Sequence, residues 1–574
     1  MRQLLAIAIG PVQEFIAAAR RTRDLWFGSW LLSELSRKAA EAVQATGGQL
    51  IFPADVDQPS VANIVLAELN GQDPAEVARK AKQAALGFWK DQAEAAYRCV
   101  QPVLRDDIWQ AQVDDVLEWY AAWVPLEGSY QTARARLMRL LAGRKNCRDF
   151  LPAQGFARVP KSSLDGLRES VLKHPDDPAW GQPAVHRALR VRWGEQLDVV
   201  GVVKRVGKGK QPYPSVARVA ADPWVRGNQH KAAFKELRAA LDDLHRRYPE
   251  AVHRLDVNIY PQYSALPYEG TAVYPSRHRE WIEEVQDFDE PELKPLRDAL
   301  AKLPEPLPYL AVLVADGDRM GELISRLQTP DQNRRFSRTL AAFSGRVAEL
   351  LRAHAGFAVY AGGDDVLAFV PVDKCLACAR ALHDAFDRCL GEFARDVGLG
   401  TAPTLSVGIA IGHFLEDMED LLVYGRAAER DAKEPDRNGL AVHLRKRGGE
   451  PIAARWRWDE QPHDLLTHYA RLHLKNALPY GFARELRELC RLYSRWPDRS
   501  RALEALKADA RRLVRAKTPA AGKAALGEVA TILEGFASIE AFDRFGRALL
   551  IAQQIAAAAK QSGEQLNEEQ GEAG

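Results

Sequence analysis

With 574 residues, 47% of them hydrophobic and 27% charged, the chain has room for about four domains of ordinary soluble composition, each with a buried core. A formal charge of +2 excludes bulk electrostatic attraction to nucleic acid, so any such contact has to run through local patches. Six scattered cysteines exclude a secreted disulfide framework and point to a reducing cytoplasm, and no apolar run nears the roughly 20 residues of a membrane span.

The opening MRQLLAIAIGPVQEF starts like a leader peptide, but its apolar run ends at Val12 and passes into an amphipathic pattern. It reads as a buried strand at 4–9 followed by a long helix over 11–45, with Pro11 in the first turn, where no N–H is needed. Strands follow at 49–52 and 64–69, then a helix over 73–97. The order β-α-β-β-α is most of a ferredoxin-like or palm unit. Residues 105–300 read as mainly helical, interrupted by basic, Pro/Gly-rich stretches such as KRVGKGKQPYPS (204–215). A second regular block begins with YLAVLVA at 309–315, apolar enough for a central strand covered on both faces. A helical region to 354, a strand at 357–360, the turn GGDD, a strand at 366–370, a helix over 373–396 and a strand at 404–411 complete β-α-β-β-α-β. From about 455 the pattern is helical, closing in the polar, unstructured-looking tail QSGEQLNEEQGEAG. The fold class is α/β (α+β). Two ferredoxin-like palm (nucleotide-cyclase-like) domains are expected at 1–130 and 301–453, with helical domains at 131–300 and 454–574.

The chemistry concentrates in the second palm. Asp316 stands at the end of the central strand in DGDRMG, where open α/β layers collect active groups. Gly317 lets a polyphosphate approach the backbone, and the helix start that follows offers N–H groups to anions. In a β-α-β-β unit the first strand neighbours the following hairpin, so Asp316 converges on Asp364 and Asp365. Three such carboxylates call for divalent counter-ions, and oxygen-only ligands favour Mg²⁺ or Mn²⁺. Taken alone, GGDD reads equally well as a β-turn, with glycines for positive φ and aspartates for Asx contacts. An acid at the end of the neighbouring strand turns the reading to a metal–nucleotide site. Lys433, in AERDAKEPDRNGLAV, is able to reach phosphates from beyond the last palm strand; by itself it reads as a solvated helix lysine.

Several phrases resemble the palm-containing polymerase/cyclase large subunit of type III CRISPR–Cas effector complexes, of the Cmr (III-B) type. They are IGPVQEFIAAARRTRDLWFGSWLLSE (9–34), YPSVARVAADPW (213–224), VADGDRMG (314–321), VYAGGDDVLAFVP (359–371) and LSVGIAIGH (405–413). The resemblance implies conversion of ATP to cyclic oligoadenylate messengers by 3′-hydroxyl attack on an α-phosphate, switched on when target RNA pairs with a crRNA guide among other Cmr subunits. It implies that Asp316, Asp364 and Asp365 hold Mg²⁺ or Mn²⁺ and act in catalysis. Gly317, Gly362 and Gly363 would then border the triphosphate, and Lys433 would contact phosphate. Asp318 matches the motif too, although an acid there also serves to cap the helix start. The first palm has Gly10-Pro11 where an active palm carries its acid, and it resembles the family's degenerate partner palm.

The sequence departs from the family twice. Many relatives begin with a histidine–aspartate nuclease domain; this chain starts at the first palm strand, and His383-Asp384 and His463-Asp464 read as helix residues, so no such nuclease activity is expected. Many relatives also carry a four-cysteine zinc site between the palms. Residues 151–300 hold no cysteine, and Cys375 and Cys378 read as buried structural residues, so zinc is not expected. The basic clusters at Arg144-Lys145, Lys204–Lys210 and Arg445–Arg447 read as solvated surface, some of which the resemblance offers to RNA phosphates. Trp26 and Trp30, at i,i+4, read as core packing against the sheet. Three other functions stay open beside the synthase: a non-catalytic scaffold subunit, a stand-alone nucleotide cyclase, and a nucleotidyltransferase joining AMP to another acceptor such as S-adenosylmethionine.

Overall fold

A computed structural model describes residues 1–147, 155–156, 158–192, 194–207, 213–249, 251–284, 288–398, 400–479, 481–564 and 566. Its first sheet contains β1 (Arg2–Gly10), β2 (Gln49–Phe52), β3 (Ile64–Asn70) and β4 (Glu118–Pro125), in the order β2-β3-β1-β4 with every pairing antiparallel. The apolar run of β1 is explained by its two covered faces. Leu5, Ile7 and Ile9 pack with helices α1 (Thr22–Ala45) and α2 (Pro74–Val100), while Leu4, Ala6 and Ala8 pack with α3 (Tyr130–Asn146).

The sequence reading missed β4. EWYAAWVP is an edge strand with Trp123 41% exposed; Pro125 and Gly128 mark its end, but no Gly or Pro separates its start from the helical run before it, so it reads as a continuation of helix. The expected helix over 11–45 also breaks, into Gln13–Ala17 and α1. The reason is Lys204, whose buried ammonium donates to the carbonyls of Phe15 and Ala18 and so removes acceptors that a continuous helix would use. Its neighbour Arg205 is buried as well, paired with Asp24 at 2.9 Å and Glu195 at 3.2 Å. The cluster beginning at Lys204 is therefore not solvated surface at its first two positions; residues 208–210 lie outside the described residues. Trp26 and Trp30 are part-buried against a core that includes strand residues of the second sheet: Trp26 lies against Tyr213 with ring centroids 4.7 Å apart, and Trp30 against Phe27 and Phe88.

The segment between the sheets includes α4 (Val216–Asn228), whose Arg226 pairs with Asp222 and with Asp373, each at 2.7 Å. The second sheet holds β5 (Tyr309–Gly317), β6 (Phe357–Gly362), β7 (Asp365–Val370), β8 (Leu405–His413), β9 (Gly439–Leu444) and β10 (Ile452–Arg457), in the order β10-β9-β8-β5-β7-β6. Its four strands β6-β7-β5-β8 repeat the order of the first sheet. β9 joins β8 in parallel and β10 joins β9 antiparallel. These last two strands extend strand structure past 411 and correct the reading of helix from 455. GLAVHL and IAARWR are short runs split by the charged RKRGGEP, and their pairing is visible only in three dimensions.

Helices α5 (Pro330–Ala353) and α6 (Cys375–Asp396) cover one face of the second sheet, and α7 (Met418–Lys433) the other. Cys375 and Cys378 are buried in α6, and burial pushes the Cys375 thiol up to about 12. Helix α5 also meets the first sheet, where Arg334 donates to the Leu50 carbonyl and the Ala54 N–H donates to Ser337, both at 2.8 Å. The helices after β10 end in α8 (Ile539–Ser562), whose crossing of α4 is so close that a Cβ on Gly227 would lie 1.9 Å from the Gln561 carbonyl oxygen. Among the described residues no helix is long and apolar enough to cross a membrane. The polar tail lies outside them from residue 567 onward.

Candidate active site

Two features of the backbone bring the acids together. The β5–β7 register runs from Ala311 opposite Val370 to Ala315 opposite Val366, which brings Asp316, the next residue of β5, beside the start of β7 at Asp365. Gly362 pairs with Asp365 across a two-residue turn of Gly363 and Asp364, in which Gly363 has φ +70° and Asp364 does not take positive φ. This is the II′ geometry, which needs glycine at its first central position and follows the right-handed twist of the strands. A bulge in β6 between Ala358 and Tyr360 lies just before the turn, an irregularity that re-aims side chains at strand ends.

Gly317 makes the close approach possible: a Cβ there would lie 2.8 Å from both Cβ and Oδ2 of Asp364. The electrostatics follow from this crowding. Burial, followed by the charge of Asp316, raises Asp364 to about 6, with Lys433 opposing the rise. Burial and the charges of Asp316, Asp364 and Glu429 raise Asp365 to about 7, with Arg426 opposing. Tyr360, in contact range of Gly362, has its hydroxyl pKa raised by burial and by all three aspartates.

Lys433, the last residue of α7, contacts Asp316 Oδ2 through Nζ and lies 2.7 Å from Glu429 Oε1. Burial works against its charge, but its bonds to Asp316 and Glu429 prevail and raise its pKa. Glu429 escaped the sequence reading, although its i,i+4 relation to Lys433 on a helix was a usable signal. Arg426 and Tyr360 carried no such signal.

Asp318 stands apart from the cluster in its bonding. Its carboxylate accepts from Thr404 at 2.7 Å, from Ser406 at 2.9 Å and from the Asn438 N–H at 3.0 Å. It does not cap the helix Met320–Arg326, which starts from Arg319 at φ 56° with no side-chain cap. It ties the ends of β5 and β8 to the segment before β9. The two His–Asp pairs are bridged by Arg380, 3.6 Å from Asp384 and 3.3 Å from Asp464.

The donor set fits a hard divalent cation: oxygen atoms only, on a glycine-cleared surface, with Asp364 and Asp365 raised first by burial and then by the neighbouring acids. Among the described residues no three His, Cys, Asp or Glu side chains are already gathered as a metal cage. Asp316 is instead engaged by Lys433.

An antiparallel sheet of ferredoxin-like order, with acids at the end of its central strand and on the adjoining hairpin, defines the palm class, here beside a second palm without such acids. Family models match both: the Cas10/Cmr2 second palm domain over residues 309–441, and the N-terminal region of the CRISPR-associated protein Cmr2 over 4–111. Two regions of the chain are thus each similar to models of the Cas10/Cmr2 family. The CRISPR system Cmr subunit Cmr2 of Pyrococcus furiosus is 26% identical over 562 residues, covering 79% of this chain and 63% of the relative. The chain thus spans 63% of the length of that curated relative. Among solved structures, a type III-B Cmr-beta complex in its apo state contains a similar chain, with TM-score 0.59, 14% identity, and coverage of 89% of this chain and 77% of that one. The Cmr-beta complex bound to cognate target RNA gives TM-score 0.61 at 13% identity, covering 89% and 78%.

Proposed function

We propose that this chain is the large subunit of a Cmr-type, crRNA-guided effector complex that converts ATP to cyclic oligoadenylates when target RNA pairs with the guide. The observation that carries this reading is the register of β5 against β7, which brings Asp316 beside the Asp364–Asp365 turn at one sheet end. A scaffold gains nothing from like charges set beside each other, an arrangement that destabilises a sheet.

In this reading Asp316, Asp364 and Asp365 hold Mg²⁺ or Mn²⁺. The metal would lower the pKa of an attacking 3′-hydroxyl and neutralise the leaving pyrophosphate. Gly317, Gly362 and Gly363 leave the backbone open to the triphosphate, and Lys433 swings onto a phosphate. Asp318, held by Thr404, Ser406 and Asn438, fixes the strand ends that carry the site rather than touching the nucleotide. The partners proposed are the other Cmr subunits, crRNA and target RNA. The domain division at 1–130, 131–300, 301–453 and 454–574 is part of the same proposal, with α3 (Tyr130–Asn146) crossing its first boundary and β10 (Ile452–Arg457) its last.

The test is to incubate the assembled complex with ATP, Mg²⁺ and target RNA, with and without S-adenosylmethionine, and to identify products by mass spectrometry. Cyclic oligoadenylate from ATP alone is the expected result. Absence of pyrophosphate release would remove the reading, and an AMP adduct appearing only with S-adenosylmethionine would replace it.

A further inference from the structure

The cluster of acids already contains a cation. Lys433 touches Asp316 with one face of its ammonium and Glu429 with another, and of the three side chains Glu429 is the most sheltered, at 14% exposure against 23% for Lys433 and 32% for Asp316. Three glycines fix the helix that carries the pair. A Cβ on Gly408 would lie 2.1 Å from the Glu429 backbone nitrogen, one on Gly439 2.2 Å from the Ala432 carbonyl oxygen, and one on Gly425 2.9 Å from side-chain carbons of Val312 and Val314. With the backbone of α7 pressed onto the sheet at these points, the motion left to the pair is that of the lysine stem.

We propose that the Lys433 ammonium is a resident competitor for the divalent cation, seated on Asp316 in the nucleotide-free chain, and that Glu429 is the positioning residue that draws it off. This rests on the metal-site reading above. A metal ion and an ammonium cannot share one carboxylate oxygen without strong repulsion, so loading Asp316 requires Lys433 to leave. Glu429, one helical turn back, offers the ammonium a second seat that keeps it beside the site. An incoming triphosphate supplies a third. Metal and nucleotide binding are thereby coupled: nucleotide removes the competitor, and metal binds more tightly in its presence. Arg426 provides the contrast, because its charge acts on Asp365 while Lys433 is the cation in contact with Asp316.

The experiment is Mn²⁺ binding to the full chain, read by electron paramagnetic resonance, with and without a non-hydrolysable ATP analogue. Without nucleotide, Lys433→Met is expected to bind Mn²⁺ about tenfold more tightly than wild type, the effect of removing one adjacent opposite charge from a carboxylate. Glu429→Gln is expected to bind it roughly threefold more weakly, in the range of a partly exposed ion pair. Lys433→Arg, which keeps a cation on Asp316 and guards against a folding defect in the methionine variant, should be no tighter than wild type. Lys433→Met should also lose the tightening that nucleotide produces. The inference is overturned if Lys433→Met binds Mn²⁺ no more tightly than wild type, or if Arg426→Gln matches its effect. Should wild type and the variant with both Asp364→Ala and Asp365→Ala bind Mn²⁺ alike, the metal-site reading falls, and this inference with it.

Discussion

Gly317 and Asp364 stand closer than any side chain at 317 would allow, a Cβ on the glycine falling 2.8 Å from both Cβ and Oδ2 of the aspartate. The obstruction is a β-carbon one bond from the main chain of a tight turn, so it cannot swing aside like the end of a long side chain. Gly317→Ala should therefore displace the turn itself. The expected stability loss is about 1–3 kcal/mol, typical of overpacking. The expected loss of turnover is larger, about a hundredfold, because reacting groups misplaced by an ångström lose that much. Initial rates with the assembled complex, set beside thermal unfolding of the isolated chain, check both numbers.

The raised pKa values of Asp364 and Asp365, about 6 and about 7, fix a pH dependence. A carboxyl whose folded pKa lies above its unfolded value binds more protons in the native state through that interval, so stability falls as pH rises. The metal-free chain should lose stability between about pH 4 and pH 7, the span from the ordinary aspartate value to the raised ones. The acids are only half-buried, so the loss is put at about 2 kcal/mol for the pair rather than the full shift. Asp365→Asn should flatten most of this slope, and saturating Mg²⁺ should abolish it. Denaturant titrations at several pH values, with and without Mg²⁺, read the effect.

Legibility in the sequence followed the length and isolation of each signal. YLAVLVA was readable as the central strand because a run buried on both faces has no polar interruption, and β5 begins at Tyr309 as expected. GGDD was readable as a turn because Gly363 needs its positive φ. By contrast β4, β9 and β10 owe their existence to neighbours far away in sequence, and short runs such as GLAVHL do not announce a partner. The break between Gln13–Ala17 and α1 depends on an ammonium from residue 204, which no local propensity encodes. The convergence of Asp316, Asp364 and Asp365 was legible from motif and topology together. The seat of Lys433 on Asp316 and Glu429 was not, because it requires knowing that glycines at 408, 425 and 439 let α7 lie against the strands.

The inward-facing start of the basic stretch after 203 gives a prediction that separates folding from RNA contact. Arg205 neutralises two buried acids, Asp24 and Glu195; removing it takes the ion pair from Asp24 and leaves Glu195 with Arg20 at 3.9 Å and the Arg192 N–H. Arg205→Ala should cost about 3–5 kcal/mol, the penalty for breaking a buried charge cluster from one side. It should lower the thermal midpoint and the yield of folded chain. RNA affinity of the surviving folded fraction should match wild type; a selective loss of RNA binding with unchanged stability would reverse the assignment of Arg205 to the interior.

The acid turn permits the opposite separation, between catalysis and architecture. Asp364 and Asp365 lie on a hairpin apex whose fold is set by Gly363 and by the β6–β7 ladder, so their carboxylates are not needed to form the turn. In the metal-free chain at neutral pH these groups oppose one another and Asp316, and deleting them relieves repulsion. The variant combining Asp364→Ala and Asp365→Ala should thus make no detectable oligoadenylate, yet unfold at a midpoint equal to or above wild type. The expected gain is about 1–2 kcal/mol, as commonly follows when a strained functional cluster is removed. It should still assemble with its partner subunits and crRNA, as judged by size-exclusion chromatography. Adding Mg²⁺ should then stabilise wild type but leave the variant's midpoint where it was, because the ligands are gone. A variant that loses both product and stability would mean that the carboxylates hold the turn together, and would return them to a structural role.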